Sequence, residues 1–186
     1  MFALSEAGSI IGGAAYAVTV DPVRKNEPQN GEIRMTAHHT AAAISDWFLA
    51  WAEADDAEIS NLKLQKLLYY AQGHHLGEGH GQLFGDRIEA WAHGPVVPSE
   101  YRRFKTYGSG PIEPDEAISE DFAWENYRDV EAHLIRIWNT YGPIAAWALR
   151  NRTHSEAPWK STFDADVMGA AIPEAKMKEF FAALNG

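Results

Sequence analysis

Between Leu62 and Tyr107 the chain changes its periodicity twice, and prolines fix where it does so. Leu64, Leu67, Leu68 and Ala71 recur at helical spacing and predict a helix with one leucine-rich buried stripe, for which Ser60 is a suitable N-cap. Lys63 and Lys66 fall off that stripe, and Gln65 with Lys66 reads as an ordinary solvated face. Tyr69 and Tyr70 cannot point the same way, so at least one is expected near the surface, where an amphipathic ring suits an interface. Gly77 and Gly79 stop the helix. From Leu83 to Trp91 the period shortens: Ile88 and Ala90 alternate with Glu89 and Trp91, which predicts one or two small strands. Gly94-Pro95 then forces a turn, because Pro95 lacks an amide hydrogen and restricts the residue before it. Pro98 opens a second helix carrying Tyr101, Phe104 and Tyr107, and Gly108-Ser109-Gly110-Pro111 breaks it.

Helical spacing dominates the rest. Ile44, Trp47, Phe48 and Trp51 predict a helix from Thr40 to Ala54, ended by a turn at Asp55-Asp56. Val130, Leu134, Ile137, Trp138 and Tyr141 mark the apolar face of a long helix over 122–141. Gly142-Pro143 ends it and starts another, with Ile144, Trp147 and Ala148 facing inward. His154 to Lys160 reads as a loop in which Thr153 and His154 bond the backbone while Trp159 plugs a gap. A last helix over 173–184 places Met177, Phe180, Phe181 and Leu184 on one side. The predicted fold is mainly α with a small β element (α+β), a compact single-domain helical bundle carrying a short strand or hairpin around 83–97. With 186 residues, 46% of them hydrophobic, one core is expected. Residues 1–34 lack this patterning; they predict an extension outside the core, either an upstream start with Met35 as the working one or a tail that orders on a partner.

Several chemistries are weakened or excluded by residue types. No cysteine is present, which removes disulfides, thiolate metal sites and cysteine nucleophiles and is compatible with a reducing cytoplasm. No stretch reaches the ~18 apolar residues of a membrane span. The formal net charge of -10 repels phosphate backbones, and the basic candidates, Arg102-Arg103 with Lys105 and Arg150 with Arg152, are short; nucleic acid is disfavoured as a partner and a basic protein is the easier one. His74 and Glu78 sit i, i+4 as zinc ligands can, yet no HExxH exists, glycines fray that helix end, and histidines at a helix C-terminus suit its dipole without metal. His154-Ser155-Glu156 holds a base, a nucleophile and an acid by type, but adjacent residues rarely converge and no nucleophile elbow presents Ser155. Gly77, Gly79 and Gly81 alternate without a following Lys-Ser or Lys-Thr, so no phosphate cradle is recognisable. No enzyme, metal or cofactor is expected. The Gly94-Pro98 corner suits two roles, a rigid exposed loop or a connector that aims the Tyr101 helix.

Four segments, Leu64-Gln65-Lys66-Leu67-Leu68-Tyr69-Tyr70, Ala90-Trp91-Ala92-His93-Gly94-Pro95-Val96, Tyr101 with Phe104-Lys105 and Tyr107-Gly108, and Thr153-His154 before Pro158-Trp159, resemble in this order the Panacea domain, the SocA-like antitoxin family of bacterial and phage toxin–antitoxin pairs. The likeness spans roughly Ile44 to Phe181, so residues 35–186 are the expected antitoxin domain. It implies a cytoplasmic antitoxin that binds and neutralises a cognate toxin encoded beside it by direct protein contact. The SocA branch implies an alternative, an adaptor that hands the toxin to an ATP-dependent protease. The rival classes are a metal-dependent hydrolase led by His74 or His154 and a DNA-binding regulator led by Arg102 and Arg103. The family supplies no set of functional residues, so the expected toxin-binding residues rest on physical grounds: Tyr70, Trp91, His93, Pro95 and Tyr101 on one patch, with His154 and Trp159.

Overall fold

The computed structural model describes residues 39–184; the expected extension over 1–34 and the start at Met35 lie outside the described residues. Helix α1 (Ala41–Ala54) is capped by Thr40, whose side chain accepts from the Ala43 amide. Helix α2 (Asn61–Gly77) is capped by Ser60, which accepts from the Lys63 amide. Strands β1 (Glu89–Trp91) and β2 (Gly94–Val96) form a hairpin, and α3 (Pro98–Phe104) follows with Pro98 in its first turn. A short α4 (Pro114–Ala117) precedes α5 (Glu131–Tyr141), α6 (Ala146–Ser155), α7 (Ala157–Lys160), β3 (Ala170–Ala171) and α8 (Glu174–Leu184). The sheet is antiparallel in the order β2-β1-β3, with Glu89 paired to Val96 on one side and to Ala171 on the other.

Helix α2 is the axis of the fold. Leu64, Leu67, Leu68 and Ala71 are fully buried as their spacing predicts, but so are the residues on its other faces. Gln65 is 2% exposed and Lys66 0%, so the expected solvated face is interior. Tyr69 and Tyr70 are also fully buried. Tyr70 stacks on Tyr141 with ring centres 3.8 Å apart, while Tyr69 meets Phe181 edge-on at 5.4 Å. The physical reason is that α2 is covered on every side: α5 and α6 lie against one flank, α8 against another, and β2 with α3 against a third. Helix α8 reaches it because Gly73 and Gly77 leave a smooth strip: a Cβ at Gly73 would stand 2.1 Å from the Phe181 ring, and one at Gly77 2.7 Å from the Ala182 backbone nitrogen.

Three further expectations change. The long helix over 122–141 is interrupted, with a 3-10 turn at Trp124–Tyr127 before α5; the turn sets Trp124 edge-on to Trp47 and Trp51 at 6.2 and 6.0 Å. Trp147 faces out, 55% exposed, because α6 buries Leu149 and Thr153 one turn apart on the opposite face. Ala148 is exposed with it. Residues 154–160 are helical on both sides of a break at Glu156, whose extended ψ of 138° ends α6 before Pro158 would have to enter it.

Candidate functional site

The hairpin is held from below by polar side chains of α2. Gln72 accepts from the Leu83 and Phe84 amides at 2.8 and 3.2 Å and donates to the Phe84 carbonyl. Lys66 Nζ donates to the Pro95 carbonyl at 2.9 Å. Gln65 accepts from the Val97 amide at 2.8 Å, and Asn61 donates to the Tyr101 carbonyl at 3.1 Å. These groups face an irregular backbone whose amides and carbonyls have few ladder partners, so each buried polar side chain answers a buried backbone group. Gly94 sits where Lys66 and Thr153 converge: its φ is +99°, and a Cβ there would lie 2.8 Å from Thr153 Oγ1 and 2.9 Å from Lys66 Cε. Burial, with the Arg150 charge adding to it, lowers the Lys66 ammonium pKa to about 7.

On its outer side the same segment lines a cleft of about 440 Å³ with Trp91, His93, Val96, Tyr101, Lys105 and Trp147 among its walls. Trp91 and Tyr101 meet edge-on at 4.9 Å, and His93, at the hairpin tip, lies 6.2 Å from the Trp147 ring. Tyr101 is 39% exposed and Trp147 55%. The Trp91 indole donates to Glu89 Oε2 at 2.8 Å, which fixes the ring, and Arg87 pairs with Glu89 at 2.7 Å. Trp91 also borders a hollow of about 530 Å³ against residues 163–169; the cleft, unlike that hollow, brings several of the predicted residues together.

Of the predicted residues, Trp91, His93 and Tyr101 line the cleft. Pro95 is buried, and its carbonyl is the one that Lys66 holds. His154 and Trp159 form a buttress behind them: their rings stack at 3.8 Å, and the Trp159 indole donates to the Trp91 carbonyl at 2.9 Å. His154 does not bond the backbone as expected. Its Nε2 is buried without a partner among the described residues, and its pKa falls to about 4 through burial and the neighbouring Arg150, Lys66 and His93 charges. Thr153 does bond the backbone, donating to the Arg150 carbonyl. Tyr70 belongs elsewhere: it lies in the core, where its hydroxyl donates to Glu156 at 3.0 Å. Burial raises the Glu156 carboxyl pKa, against the pull of Tyr70, Tyr69 and Arg152.

Trp147 was missed as a surface residue because a tryptophan beside Ile144 reads as core. The signal that could have found it is the spacing of Leu149 and Thr153, which sets the buried face of α6 opposite to it. The residues weighed for other chemistry go separate ways. His74 Nε2 meets the Tyr141 hydroxyl at 2.7 Å, while Glu78 binds Arg136. Among the described residues no three histidine, aspartate or glutamate side chains are gathered to hold a metal ion. Arg103 is spent on Asp46 and Glu100 at 2.6 and 3.2 Å. No helix of the described residues is long and apolar enough to cross a membrane.

The family described as "Antitoxin SocA-like, Panacea domain" matches residues 64–160, which run from the first turn of α2 through the hairpin to the end of α7. Antitoxin SocA of Caulobacter vibrioides (strain NA1000 / CB15N) is 37% identical over 128 residues, covering 64% of this chain and 68% of that protein. No solved structure matches the chain. The chain belongs to the SocA-like antitoxin family that carries the Panacea domain.

Proposed function

We propose that this protein is an antitoxin that silences a cognate protein toxin by direct contact, with the aromatic cleft at the centre of the contact. The observation that carries this reading is the pairing of a pinned hairpin with rings open to solvent: half-buried Trp91 and exposed Tyr101 and Trp147 line a cleft whose backbone is tied to the central helix. Rings held in place lose little freedom on binding, and aromatic anchors supply most of the free energy of a standard interface of ~1,600 Å². His93 at the hairpin tip completes the surface, while Pro95, His154 and Trp159 act through the backbone they position. The mechanism is occlusion of the toxin, which requires no reacting group on this chain. The toxin is expected from a neighbouring reading frame, and the encounter takes place in the cytoplasm.

The experiment is co-expression with candidate toxins from adjacent reading frames, scored by growth. Wild type restores growth against its cognate toxin, whereas Trp147→Ala and Tyr101→Ala weaken binding by at least roughly 30-fold, the ~2 kcal/mol of an anchor residue. Circular dichroism must show both variants native. Native variants that neutralise fully would remove the cleft from the contact, and wild type that protects against no neighbouring toxin would remove the antitoxin reading. Toxin levels separate occlusion from delivery: blocking leaves the toxin present, and delivery depletes it only where an ATP-dependent protease is active.

A further inference from the structure

The cleft is chemically unlike the rest of the protein. The chain carries 26 aspartates and glutamates against 16 lysines and arginines, yet no carboxylate lines the cleft. Its charged wall residue is Lys105, which is exposed and whose ammonium has no ion pair or hydrogen bond among the described residues. Behind the opposite wall stands Arg150, its guanidinium 4.9 Å from the Trp147 ring and donating to the Ala92 carbonyl at 3.4 Å.

Arg150 is informative when set beside Arg103. Both are half-buried. Arg103 is neutralised by Asp46 and Glu100; Arg150 donates to Asn151 Oδ1 at 3.1 Å but has no carboxylate partner among the described residues, and its Nε is buried without a hydrogen bond. A partly desolvated guanidinium on an indole face, without a counter-charge, gains most from a carboxylate brought to it. Lys66 below and His93 at the tip add no acid to the neighbourhood.

From this we infer that the cleft takes a peptide segment of the partner protein in which a bulky apolar side chain is flanked by an aspartate or glutamate. The apolar group seats between Trp91, Tyr101 and Trp147, and the carboxylate meets Arg150 or Lys105. The local chemistry therefore runs opposite to the whole-molecule charge, which favours a basic partner. The inference rests on the antitoxin reading for the identity of the partner but not for the chemistry of the segment.

The test sorts a displayed library of random short peptides against the purified full chain and titrates the binders. Binders are expected to carry Asp or Glu beside Leu, Ile, Phe or Trp, and to weaken by roughly 30-fold with Arg150→Gln, the size expected for losing one partner of a desolvated charge pair. Lys105→Glu, at an exposed position without partners, should weaken them by roughly 10-fold even if Arg150→Gln disturbs folding. Basic or acid-free binders, an absence of binders, indifference to Lys105→Glu, or displacement of the peptide by oligothymidylate would each overturn the inference. The toxin co-expression assay keeps the two readings apart. Acidic binders from a chain that rescues nothing leave the cleft chemistry standing without the antitoxin; rescue by a chain whose cleft shows no acidic preference does the reverse.

Discussion

The inner and outer sides of the segment from Leu83 to Tyr101 use side chains in the reverse of the usual order. Below it, α2 presents Asn61, Gln65, Lys66 and Gln72, all buried and all bonded to backbone. Above it, Trp91, Tyr101 and Trp147 stand partly or largely in solvent. The contrast assigns a different job to each side. Matched polar groups contribute little net stability but are costly to unmatch, so they specify one backbone path. Exposed rings contribute little to folding and much to binding. Damage below should unfold the protein, and damage above should spare the fold while abolishing contact.

The sharpest break in that division is Gln72→Leu. It keeps the volume roughly constant but leaves the Leu83 and Phe84 amides and the Phe84 carbonyl without their partner. At about 1–3 kcal/mol for each buried group left unmet, a loss of about 3–5 kcal/mol is expected in chemical denaturation. A loss below about 1 kcal/mol would mean that water replaces the amide and that the polar face is ornamental. Gly73→Ala comes next. A methyl there is favourable for helix formation by about 1 kcal/mol, but it meets the Phe181 ring at 2.1 Å. Phe181 is fully buried and cannot swing away, so a net loss of about 2 kcal/mol is expected. Gly85→Ala, with nothing within 4 Å of the added Cβ, is the control and should change stability by less than about 0.5 kcal/mol.

Gln72 also marks where sequence reading stops. The start and end of α2 and the start of α3 were legible because Ser60, Gly77 and Pro98 act locally, through capping, helix termination and φ restriction. The Gly94 corner was legible for the same reason; Trp91, His93 and Tyr101, chosen from the aromatic residues around that corner, share one cleft. Periodicity, however, reports only the apolar stripe of α2. It could not show that the polar face opposite would be covered by backbone 11 to 32 residues further on, because Gln65, Lys66 and Gln72 look the same whether they bond water or a distant backbone. Tyr70 was misassigned to the surface by that same assumption. The one-sided reading of α6 failed differently: Trp147 is large and apolar and was grouped with Ile144, although the spacing of Leu149 and Thr153 marks the opposite face as the buried one.

Lys66 gives a subtler test, read through pH. Its folded pKa lies at about 7 against an ordinary 10.5. Between those values the unfolded chain holds a proton that the folded chain has released, so stability rises with pH across this window. Below pH 7 both states carry the proton, and the cost of burying the charge is complete. The slope from Lys66 approaches about 1.4 kcal/mol per pH unit between pH 7.5 and 9. Lys66→Met should flatten it. An unchanged slope would show that the ammonium keeps its charge in the interior, and that the Pro95 carbonyl is held by an ion rather than by an amine.

The smallest expected effect bears most directly on the division between the two sides. Trp147 is the most exposed tryptophan of the fold, and its described neighbours are the His93 ring at 6.2 Å and the Arg150 guanidinium at 4.9 Å. Trp147→Ala should therefore shift unfolding stability by less than about 0.5 kcal/mol, the range of surface substitutions free of buried partners. That figure matters because it sets the baseline for any loss of toxin binding by the same variant. If stability instead falls by about 2 kcal/mol, Trp147 is closing the cleft against the core, the outer side is structural after all, and the separation of fold below from contact above collapses.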